Sequence, residues 1–424
     1  MSRFVMADEV PVESYDWGDA GMRCAPPGTG CDSFVVMDVR LDPGFFHAFH
    51  KHPDQDEMII LKSGRVTQFL EGESRELGPG DSVYIDKDVV HGSYNDFDEP
   101  AELQVVLAPA VREGGELSYE DVDDPVAGPG EVVVELKAAA VNRRDLLVCN
   151  PPGPAYEFPK PLIPGSDGAG IRRDTGQEVV IYPGLHWGPR EDAAGPDWEI
   201  LGGRRNGTYA ELVAVPEENV YRKPARFSWE EAAAFPLAAL TAYRALFAVG
   251  RLQADETVLV LGAGSGVSTF AVQLAAQEGA RVLVTSSSEG KIERAKELGA
   301  AGGVLYTEEG WPEAVGPVDL VLDSVGTTWR DSVRALRKGG RLIAFGGTGG
   351  QEVTLDVREL YLNWRSIHST TMGSPHDFFA MLRLVNDADW CPVIDSVRPL
   401  AEAEAAHERM KCGDHFGKLV LAVS

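Results

Sequence analysis

The segment "TVLVLGAGSGVSTFAVQLA", residues 257–275, constrains the fold more than any other stretch of the chain. A short apolar run leads into Gly262, Gly264 and Gly266, and a helical pattern of apolar residues follows at once. Glycine permits the tight turn that joins a buried strand directly to a helix. The same alternation continues in "ARVLVTSSS", "KIERAKELGA", "VDLVLDSV" and "GGRLIAFGG". Strands that alternate with helices at this spacing predict a parallel α/β sheet built from βαβ units.

The glycine-rich turn also predicts a ligand. Backbone amides at the start of the helix point toward the turn and favour the negative charge of a pyrophosphate. Ser268 occupies the place of the usual third glycine and is small enough to keep the helix near the strand. We therefore expect a Rossmann-type dinucleotide site, whose loop residues are Gly262, Gly264, Ser265, Gly266 and Val267.

The residues after the second strand of this unit indicate which dinucleotide binds. An Asp or Glu there would bond to the ribose hydroxyls of NAD, but this chain has no acid at that point. It offers hydroxyl groups and cations, which suit a 2′-phosphate, although cations on a helix are also typical of a solvent-exposed face. NADP(H) is therefore the expected cofactor, and its expected contacts here are Ser286, Ser287, Ser288 and Lys291, with Arg294 nearby.

The segment "HAFHKHPDQDE" lies in a region of different character. Residues 34–107 consist of short apolar runs separated by turn signals, which predicts an all-β domain. His50 and His52 are two positions apart, so on a strand their side chains point the same way. Glu57 begins the next apolar run, and His91 follows a later turn. Three imidazoles and a carboxylate predict a site for a divalent transition metal, with Fe, Mn, Ni, Zn and Cu all compatible.

These motifs resemble those of the cupin superfamily over about residues 34–110. The resemblance implies a jelly-roll β-barrel and assigns the metal ligands to the same four residues. The sequence departs from the family pattern at Asp86 and Asp88, which replace the usual Pro and Gly of the second turn. Two alternatives stay open: Asp56 replaces Glu57 if the strand phase slips by one residue, or the barrel is a metal-free binding or dimerisation unit.

The rest of the chain carries a second resemblance, in segments such as "GPGEVVVELKAAAVNRRDLLV", "GTYAELVAVPEENV", "EEAAAFPLAALTAYRAL" and "HFGKLVLAV". Residues 126–424 resemble the medium-chain dehydrogenase/reductase superfamily, nearest to its quinone oxidoreductase and zinc-type alcohol dehydrogenase branches. The resemblance implies a GroES-like β-barrel catalytic domain beside the Rossmann domain, with the active site in the cleft. It also implies that Asn142, Asp145 and Thr241 lie near the nicotinamide and that Tyr306, Gly346, Gly347 and Thr348 contact the cofactor.

The zinc ligands of that superfamily are missing from this sequence. Zinc-dependent members carry Cys where this chain has Asn142, and His and Glu where it has Ser166 and Asp167. Without thiolate or imidazole ligands, we expect no zinc in the reductase to polarise an alcohol. The zinc-independent branch instead passes a hydride from NADPH to a quinone or an α,β-unsaturated carbonyl, where the enolate needs only hydrogen-bond donors and a proton. Candidate proton donors are Tyr156, Tyr182 and Tyr209, although each is also a common core or rim residue.

An acidic segment rich in Gly and Pro, "REGGELSYEDVDDPVAGPGE", separates the two resemblances and is typical of an inter-domain linker. The expected organisation is a cupin domain over 1–115, a linker over 116–128, a GroES-like catalytic domain over 129–243 and 386–424, and a Rossmann NADP-binding domain over 244–385.

The charge and cysteine content limit the partners. Sixty-six acidic and 39 basic residues give a net charge of −27, which repels nucleic-acid phosphates and anionic lipid. Five scattered cysteines without a CxxC pair indicate reduced thiols, and no apolar run approaches the length of a membrane span. We therefore expect a cytoplasmic enzyme with a small-molecule substrate, no nucleic-acid or membrane partner, and a homo-oligomeric state, most simply a dimer.

Two apparently complete sites on one chain leave three hypotheses open. In the first, an NADPH-dependent quinone or enone reductase is fused to a metal-binding cupin that catalyses a coupled step. In the second, the reductase has a single function and the cupin is a binding or dimerisation module. In the third, the chain is a non-catalytic NADPH sensor.

Overall fold

The structure is a computed structural model of the chain. It describes residue 10 and residues 12–15, 17–24, 34–52, 55–108, 117–150, 158, 160–350 and 352–423. The chain divides into two compact units, Met1–Gly115 and Glu116–Ser424.

The described part of the first unit is built from antiparallel strands. These are β1 (Val12–Tyr15), β2 (Gly18–Cys24), β3 (Val35–Leu41), β4 (Phe46–His50), β5 (Asp56–Ser63), β6 (Val66–Leu70), β7 (Glu73–Leu77), β8 (Ser82–Ile85), β9 (His91–Tyr94) and β10 (Ala101–Ala108). One sheet has the order β1-β2-β3-β10-β5-β8, and the other has the order β4-β9-β6-β7.

The core of this unit follows from the alternation of its strands. In β5 and β10, every second side chain is buried and the others are more exposed, as expected for a strand with one covered face. Leu41, Leu61, Val66 and Leu103 are almost completely buried in one apolar cluster. The alternation places Glu57 on the same buried side of β5 as Leu61.

The second unit begins with another antiparallel sheet. Its strands include β11 (Glu131–Ala140), β12 (Asp167–Arg172), β13 (Glu178–Ile181), β16 (Leu212–Pro216) and β17 (Val220–Arg222), and the short strands β14 (Gly184–Leu185) and β15 (Glu199–Ile200) pair beside it. The long strand β11 pairs with both β12 and β16.

A parallel sheet follows in the chain, as the alternation of strands and helices predicted. Its strands are β18 (Thr257–Val260), β19 (Arg281–Ser286), β20 (Gly302–Leu305), β21 (Val318–Asp323), β22 (Leu336–Ala344) and β23 (Ser366–Ser369). Their order is β20-β19-β18-β21-β22-β23, and all five pairings are parallel. The direction of winding reverses beside β18, which is where open α/β sheets bind ligands.

The C-terminal strands return to the first sheet of this unit. Strand β24 (Ile394–Pro399) pairs in parallel with β25 (Lys418–Ala422), and β25 pairs antiparallel with β11. This return brings the start of β25 next to the residues that follow β11.

The described helices lie in the second unit. They are α1 (Arg143–Cys149), α2 (Trp229–Ala234), α3 (Pro236–Tyr243), α4 (Gly266–Gln277), α5 (Glu289–Glu297), α6 (Trp311–Ala314), α7 (Trp329–Ala335), α8 (Val357–Tyr361), α9 (Pro375–Asp387) and α10 (Ala403–Cys412). Pro236 lacks the N–H that would continue α2, so a new helix starts there, and it passes into a π-helical turn over Arg244–Ala248.

Across the described residues, no helix has the length and apolar character needed to cross a membrane. Cys149, Cys391 and Cys412, which lie within the described ranges, are free thiols.

Candidate functional sites

The histidines and the glutamate predicted as metal ligands meet between the two sheets of the first unit. His50 ends β4 and His91 opens β9, and these two residues are direct partners in the register of the strand pair. Glu57 approaches from β5 in the other sheet, and His52 lies just after β4. One ligand atom from each of the four side chains lies within 4.8 Å of the others.

Backbone contacts orient two of the imidazoles. Nδ1 of His50 lies 2.8 Å from the carbonyl oxygen of Ala48, and Nδ1 of His91 lies 2.9 Å from that of Val89. In its neutral form, a ring whose Nδ1–H donates to a carbonyl presents an unprotonated Nε2, which is the form that ligates a metal. The contact of each Nδ1 with a backbone carbonyl therefore favours metal binding by Nε2 of the same ring.

The carboxylate of Glu57 completes the cluster. Its Oε2 lies 2.7 Å from Nε2 of His91 and 3.4 Å from Nε2 of His52. Burial raises the pKa of Glu57, but the contacts with His52 and His91 outweigh burial and lower that pKa to about 2. Oε2 of Glu57 and Nε2 of His91 are nevertheless buried without a hydrogen bond of acceptable geometry. Such unpartnered buried atoms, facing one another, fit a cation held between them.

Asp56 and Asp88, the two residues that the sequence left open, lie near this cluster. Asp56 points away from the cluster, and its Oδ1 accepts a hydrogen bond from the backbone N–H of Lys87. The unusual turn also forms, because Asp88 adopts a left-handed backbone (φ 65°) that Asp tolerates better than most residues. His47 is exposed and lies outside the four-residue cluster, although its ring is 4.4 Å from that of His50.

In the second unit, the predicted dinucleotide loop connects β18 to α4. Gly262 has a left-handed backbone (φ 71°), which a glycine adopts without strain. Ser265 caps α4 by accepting a hydrogen bond from Ser268 N–H at 3.1 Å, and the hydroxyl of Ser268 donates to the Leu261 carbonyl at 3.0 Å. Gly266 starts the helix and Val267 follows it. The loop therefore has the strand-turn-helix geometry that accepts a pyrophosphate.

The residues predicted for the 2′-phosphate lie at the end of β19, but their roles differ. Ser286 is buried, whereas Ser287 is exposed. Ser288 is the N-cap residue of α5, but its side chain accepts no capping hydrogen bond. The ammonium of Lys291 donates to the Gly413 carbonyl at 2.6 Å, so in this structure it is engaged with the C-terminal segment. Arg294 likewise stacks 4.1 Å from the ring centre of Phe416, and Tyr306 is about half exposed.

A cavity of about 730 Å³ lies at the carboxyl ends of β21 and β22. Gly346 and Gly347 line it, as do Gly326 and Trp329, whose indole N–H is buried without a partner. Thr348 is not among the lining residues, and its backbone N–H donates to the Ser324 carbonyl at 3.2 Å. The predicted loop thus borders open space beside the parallel sheet.

Lys418 lies beside the predicted catalytic residue Asn142, although the sequence did not indicate it as a site residue. Its ammonium, only 2% exposed, donates to the carbonyl of Val141 at 3.0 Å, to Oδ1 of Asn142 at 2.6 Å and to Oδ2 of Asp167 at 3.1 Å. Nδ2 of Asn142 also donates to Oδ2 of Asp167 at 2.9 Å. The amide of Asn142 is therefore hydrogen-bonded within the protein. The segment "HFGKLVLAV", which carried part of the family resemblance, contains its partner Lys418 and was the only sequence feature that pointed to this region.

Ser166, at another of the three positions where zinc ligands are missing, also makes hydrogen bonds within the protein. It accepts a hydrogen bond from Arg144 at 2.7 Å and donates to the Leu201 carbonyl at 2.8 Å. Thr241 donates to the Leu237 carbonyl at 2.8 Å, while Leu237 N–H donates to the second carboxylate oxygen of Asp167 at 2.7 Å. The residues at the positions where the resemblance implies zinc ligands are thus engaged in hydrogen bonds within the protein.

A second polar group surrounds the predicted residue Asp145. The hydroxyl of Tyr209 donates to Oδ2 of Asp145 at 3.2 Å and lies 3.1 Å from Nε2 of His407. Because the hydroxyl has one proton, His407 must donate from Nε2 to the tyrosine oxygen. Burial raises the pKa of Asp145 to about 6, lowers that of His407 to about 4, and raises that of Tyr209 well above 10. No sequence signal pointed to His407.

The other candidate tyrosines are less available. The hydroxyl of Tyr182 donates to the Gly373 carbonyl at 2.8 Å inside the core, and its burial raises its pKa. Tyr156 lies outside the described residues.

Sequence models of three families match this chain. Their descriptions are a cupin domain over residues 37–107, an alcohol dehydrogenase GroES-like domain over 128–225 and a zinc-binding dehydrogenase over 266–387.

Individual proteins resemble the chain over most of the same region. A zinc-type alcohol dehydrogenase-like protein of Schizosaccharomyces pombe is 33% identical over 351 residues, which cover 76% of this chain and 99% of the relative. The 2-methylene-furan-3-one reductase of Solanum lycopersicum is 34% identical over 51% of this chain and 55% of the relative. The crystal structure of an NAD-dependent alcohol dehydrogenase matches with 38% identity and a TM-score of 0.68, over 72% of this chain and 95% of that one.

Proposed function

The chain is an oxidoreductase of the medium-chain dehydrogenase/reductase superfamily that also carries a cupin domain, and from that premise we propose that it reduces a quinone or an α,β-unsaturated carbonyl with NADPH. The observation that carries the proposal is the state of the zinc-ligand positions. Asn142, Ser166 and Asp167 are engaged by Lys418 and Arg144, and none of the three supplies a thiolate or an imidazole. Such a donor set does not suit zinc, so activation of an alcohol as a zinc alkoxide is disfavoured.

In this proposal, bound NADPH supplies the hydride, and the protein supplies a proton and a fixed environment. Asp145, Tyr209 and His407 form the proton source, because the raised pKa of Asp145, about 6, keeps part of its population protonated near neutral pH.

We propose NADPH rather than NADH because Ser287 and Ser288, the first two residues after β19, carry hydroxyl groups and not carboxylates. Ser287 is exposed and the side chain of Ser288 makes no capping hydrogen bond, which supports this choice, although one similar solved structure is that of an NAD-dependent alcohol dehydrogenase. Ser287→Asp tests it: we expect about ten- to hundredfold weaker NADPH binding, since a phosphate contact becomes a repulsion. Binding of NADH should change little, and equal losses for both cofactors would contradict the proposed preference.

The cupin is proposed to bind one divalent transition metal through His50, His52, Glu57 and His91. A metal there would supply open coordination positions, which suit either substrate binding or a step coupled to the reductase. The second hypothesis, a cupin that serves only for binding or dimerisation, predicts full reductase activity in a variant that has lost the metal. The sensor hypothesis predicts NADPH binding without turnover.

Self-association of the second unit is proposed at the edge of the parallel sheet. Strand β23 is the last strand of that sheet in the described structure, and the segment before it exposes Val357, Tyr361, Leu362 and Trp364. Exposed apolar residues beside a free strand edge are typical of an interface. Trp364→Glu should convert an oligomer to a smaller species in light scattering, and an unchanged mass would exclude this edge.

The central test compares substrates that differ in one double bond. Purified full-length protein is mixed with NADPH and methyl vinyl ketone, with NADPH and butanone, or with NADP⁺ and sec-butanol, while absorbance of the reduced nicotinamide is followed. Benzoquinone serves as a second acceptor. We expect turnover with the enone or the quinone and none with butanone or the alcohol. The contrary result is oxidation of the alcohol faster than reduction of the enone. If the His50→Ala/His91→Ala variant, which lacks the cupin ligands, shows the same oxidation and a chelator abolishes it, the proposal is overturned.

A further inference from the structure

Lys418 has a role that the proposed reaction does not by itself require. Its ammonium makes three hydrogen bonds, to Val141, Asn142 and Asp167, which use all the donors that a lysine has. Lys418 and Asp167 are 2% and 0% exposed, so this is a buried ion pair. A buried charge is retained only where its partners compensate for lost hydration.

The same lysine touches the dinucleotide loop. A Cβ atom added to Gly266 would lie 2.7 Å from Cδ of Lys418, so the lysine stem packs against the first residue of α4. Nζ lies only two bonds beyond Cδ. Its positive charge is therefore close to the first turn of α4, where amides are available for a pyrophosphate.

The segment before Lys418 makes further contacts with the cofactor side. Gly417 N–H donates to the Gly264 carbonyl at 2.9 Å, and a Cβ on Gly264 would lie 2.9 Å from the His415 carbonyl oxygen. Lys291, at the start of α5, donates to the Gly413 carbonyl. The C-terminal segment 413–418 thus contacts both the glycine loop and the residues beyond β19.

We propose that Lys418 is a positioning residue for the dinucleotide. Its three hydrogen bonds, to Val141, Asn142 and Asp167, fix the segment 413–418 against the glycine loop, and its charge raises the affinity of the first turn of α4 for a pyrophosphate. This inference rests on the proposed function only in requiring that a nicotinamide dinucleotide binds. It is independent of the substrate.

The test separates folding from cofactor binding with the variants Lys418→Met, Asp167→Asn and their combination. Dissociation constants for NADPH and NADH are measured by fluorescence titration, and the unfolding midpoint is measured on the same samples. Lys418→Met leaves the Asp167 carboxylate buried without its cation, so its midpoint should fall strongly. The double variant removes both charges, so its midpoint should recover toward that of the unmodified protein.

Cofactor binding is expected to behave differently. The double variant should still bind NADPH at least about tenfold more weakly, because the positive charge beside α4 is absent. Asp167→Asn, which keeps the lysine, should bind NADPH within about threefold of the unmodified protein. Normal NADPH affinity in the double variant would overturn the inference and leave the pair a purely structural one.

Lys223 offers a matched control. It is also a buried lysine, 7% exposed, and its ammonium donates to the Phe227 carbonyl at 2.6 Å and lies 3.3 Å from Oε2 of Glu178. Lys223→Met should lower the unfolding midpoint but leave NADPH affinity within about twofold. An equal loss of NADPH affinity in this control would show that any buried lysine has the effect and would contradict a specific role for Lys418. If the unmodified protein binds neither NADPH nor NADH, the proposed function fails instead.

Discussion

The two polar centres of this chain differ in how far their own side chains satisfy one another. In the cupin unit, Glu57 Oε2 and His91 Nε2 lie 2.7 Å apart and are buried without a hydrogen bond. In the reductase unit, the Lys418 ammonium has three acceptors, and the amide of Asn142 is bonded at both its oxygen and its nitrogen. Unpartnered buried groups are costly unless a ligand completes them. The first centre is therefore suited to an added cation, whereas the second carries its cation within the chain.

The largest expected effect tests the cupin side of this comparison. His50→Ala/His91→Ala should reduce bound metal from about one equivalent to almost none, because two of four ligands are lost. Elemental analysis of dialysed protein measures this, with NADPH titration as a check that the second unit is intact. His47→Ala is the matched control, since His47 is an exposed neighbour outside the cluster, and it should retain the metal. Metal retained in the double variant would place the ion elsewhere.

The next effect concerns a buried histidine of the reductase unit. Burial lowers the pKa of His407 to about 4, below its usual value near 6.5. Its contribution to stability is therefore complete above pH ~6.5 and is lost as the pH falls toward ~4, on the order of 3 kcal/mol. His407→Gln should remove this acid-side loss. Urea denaturation followed by tryptophan fluorescence reports mainly on this unit, because Trp17 is the only tryptophan before residue 116. Parallel pH profiles for the two proteins would contradict the prediction.

Asp145 should produce the opposite slope. Burial raises the pKa of Asp145 to about 6, so its contribution to stability is complete below pH ~3.9 and is lost as the pH rises through 6. Asp145→Asn should remove this loss, which is at most on the order of 3 kcal/mol. In the unmodified protein the two slopes partly cancel between pH ~4 and ~6. The free energy of unfolding should rise with pH in Asp145→Asn and fall with pH in His407→Gln, and equal slopes would show that the two groups titrate as one.

The smallest expected effect lies in the dinucleotide loop. Ser268 is 1% exposed, and its hydroxyl donates to the Leu261 carbonyl at 3.0 Å. Ser268→Ala should cost about 1 kcal/mol of unfolding free energy through the lost hydrogen bond. NADPH affinity should stay within about twofold, because the hydroxyl points toward β18 rather than toward the ligand side. A large loss of NADPH affinity would instead make Ser268 a ligand contact.

Both family resemblances drawn from the sequence are confirmed by the matching family models. The four residues predicted as metal ligands lie close together because they come from two short segments of the chain. Alternation along a strand puts His50 and His52 on one side, and the pairing of β4 with β9 adds His91. That the cluster binds a metal stays a prediction, as do the roles assigned to the cofactor-binding residues.

The reductase centre was less accessible to sequence reasoning. The family resemblance selected Asn142, Asp145 and Thr241 as catalytic residues. It did not indicate the protein groups with which their side chains form hydrogen bonds. Lys418 reaches Asn142 from 276 positions away, and His407 reaches Tyr209 from 198 positions away. Neither separation follows a helical or strand period, so no local pattern could indicate these pairs.

The sequence by itself determined the two families, the alternation of strands and helices and the residue types at each ligand position, because these depend on neighbours within a few residues. Only the tertiary structure decided which charges compensate one another. The return of β25 to β11 placed a lysine against Asp167 and Gly266, and the packing of α10 placed a histidine against Tyr209. Burial then set the pKa values of Asp145 and His407, since the cost of a charge depends on what surrounds it in space.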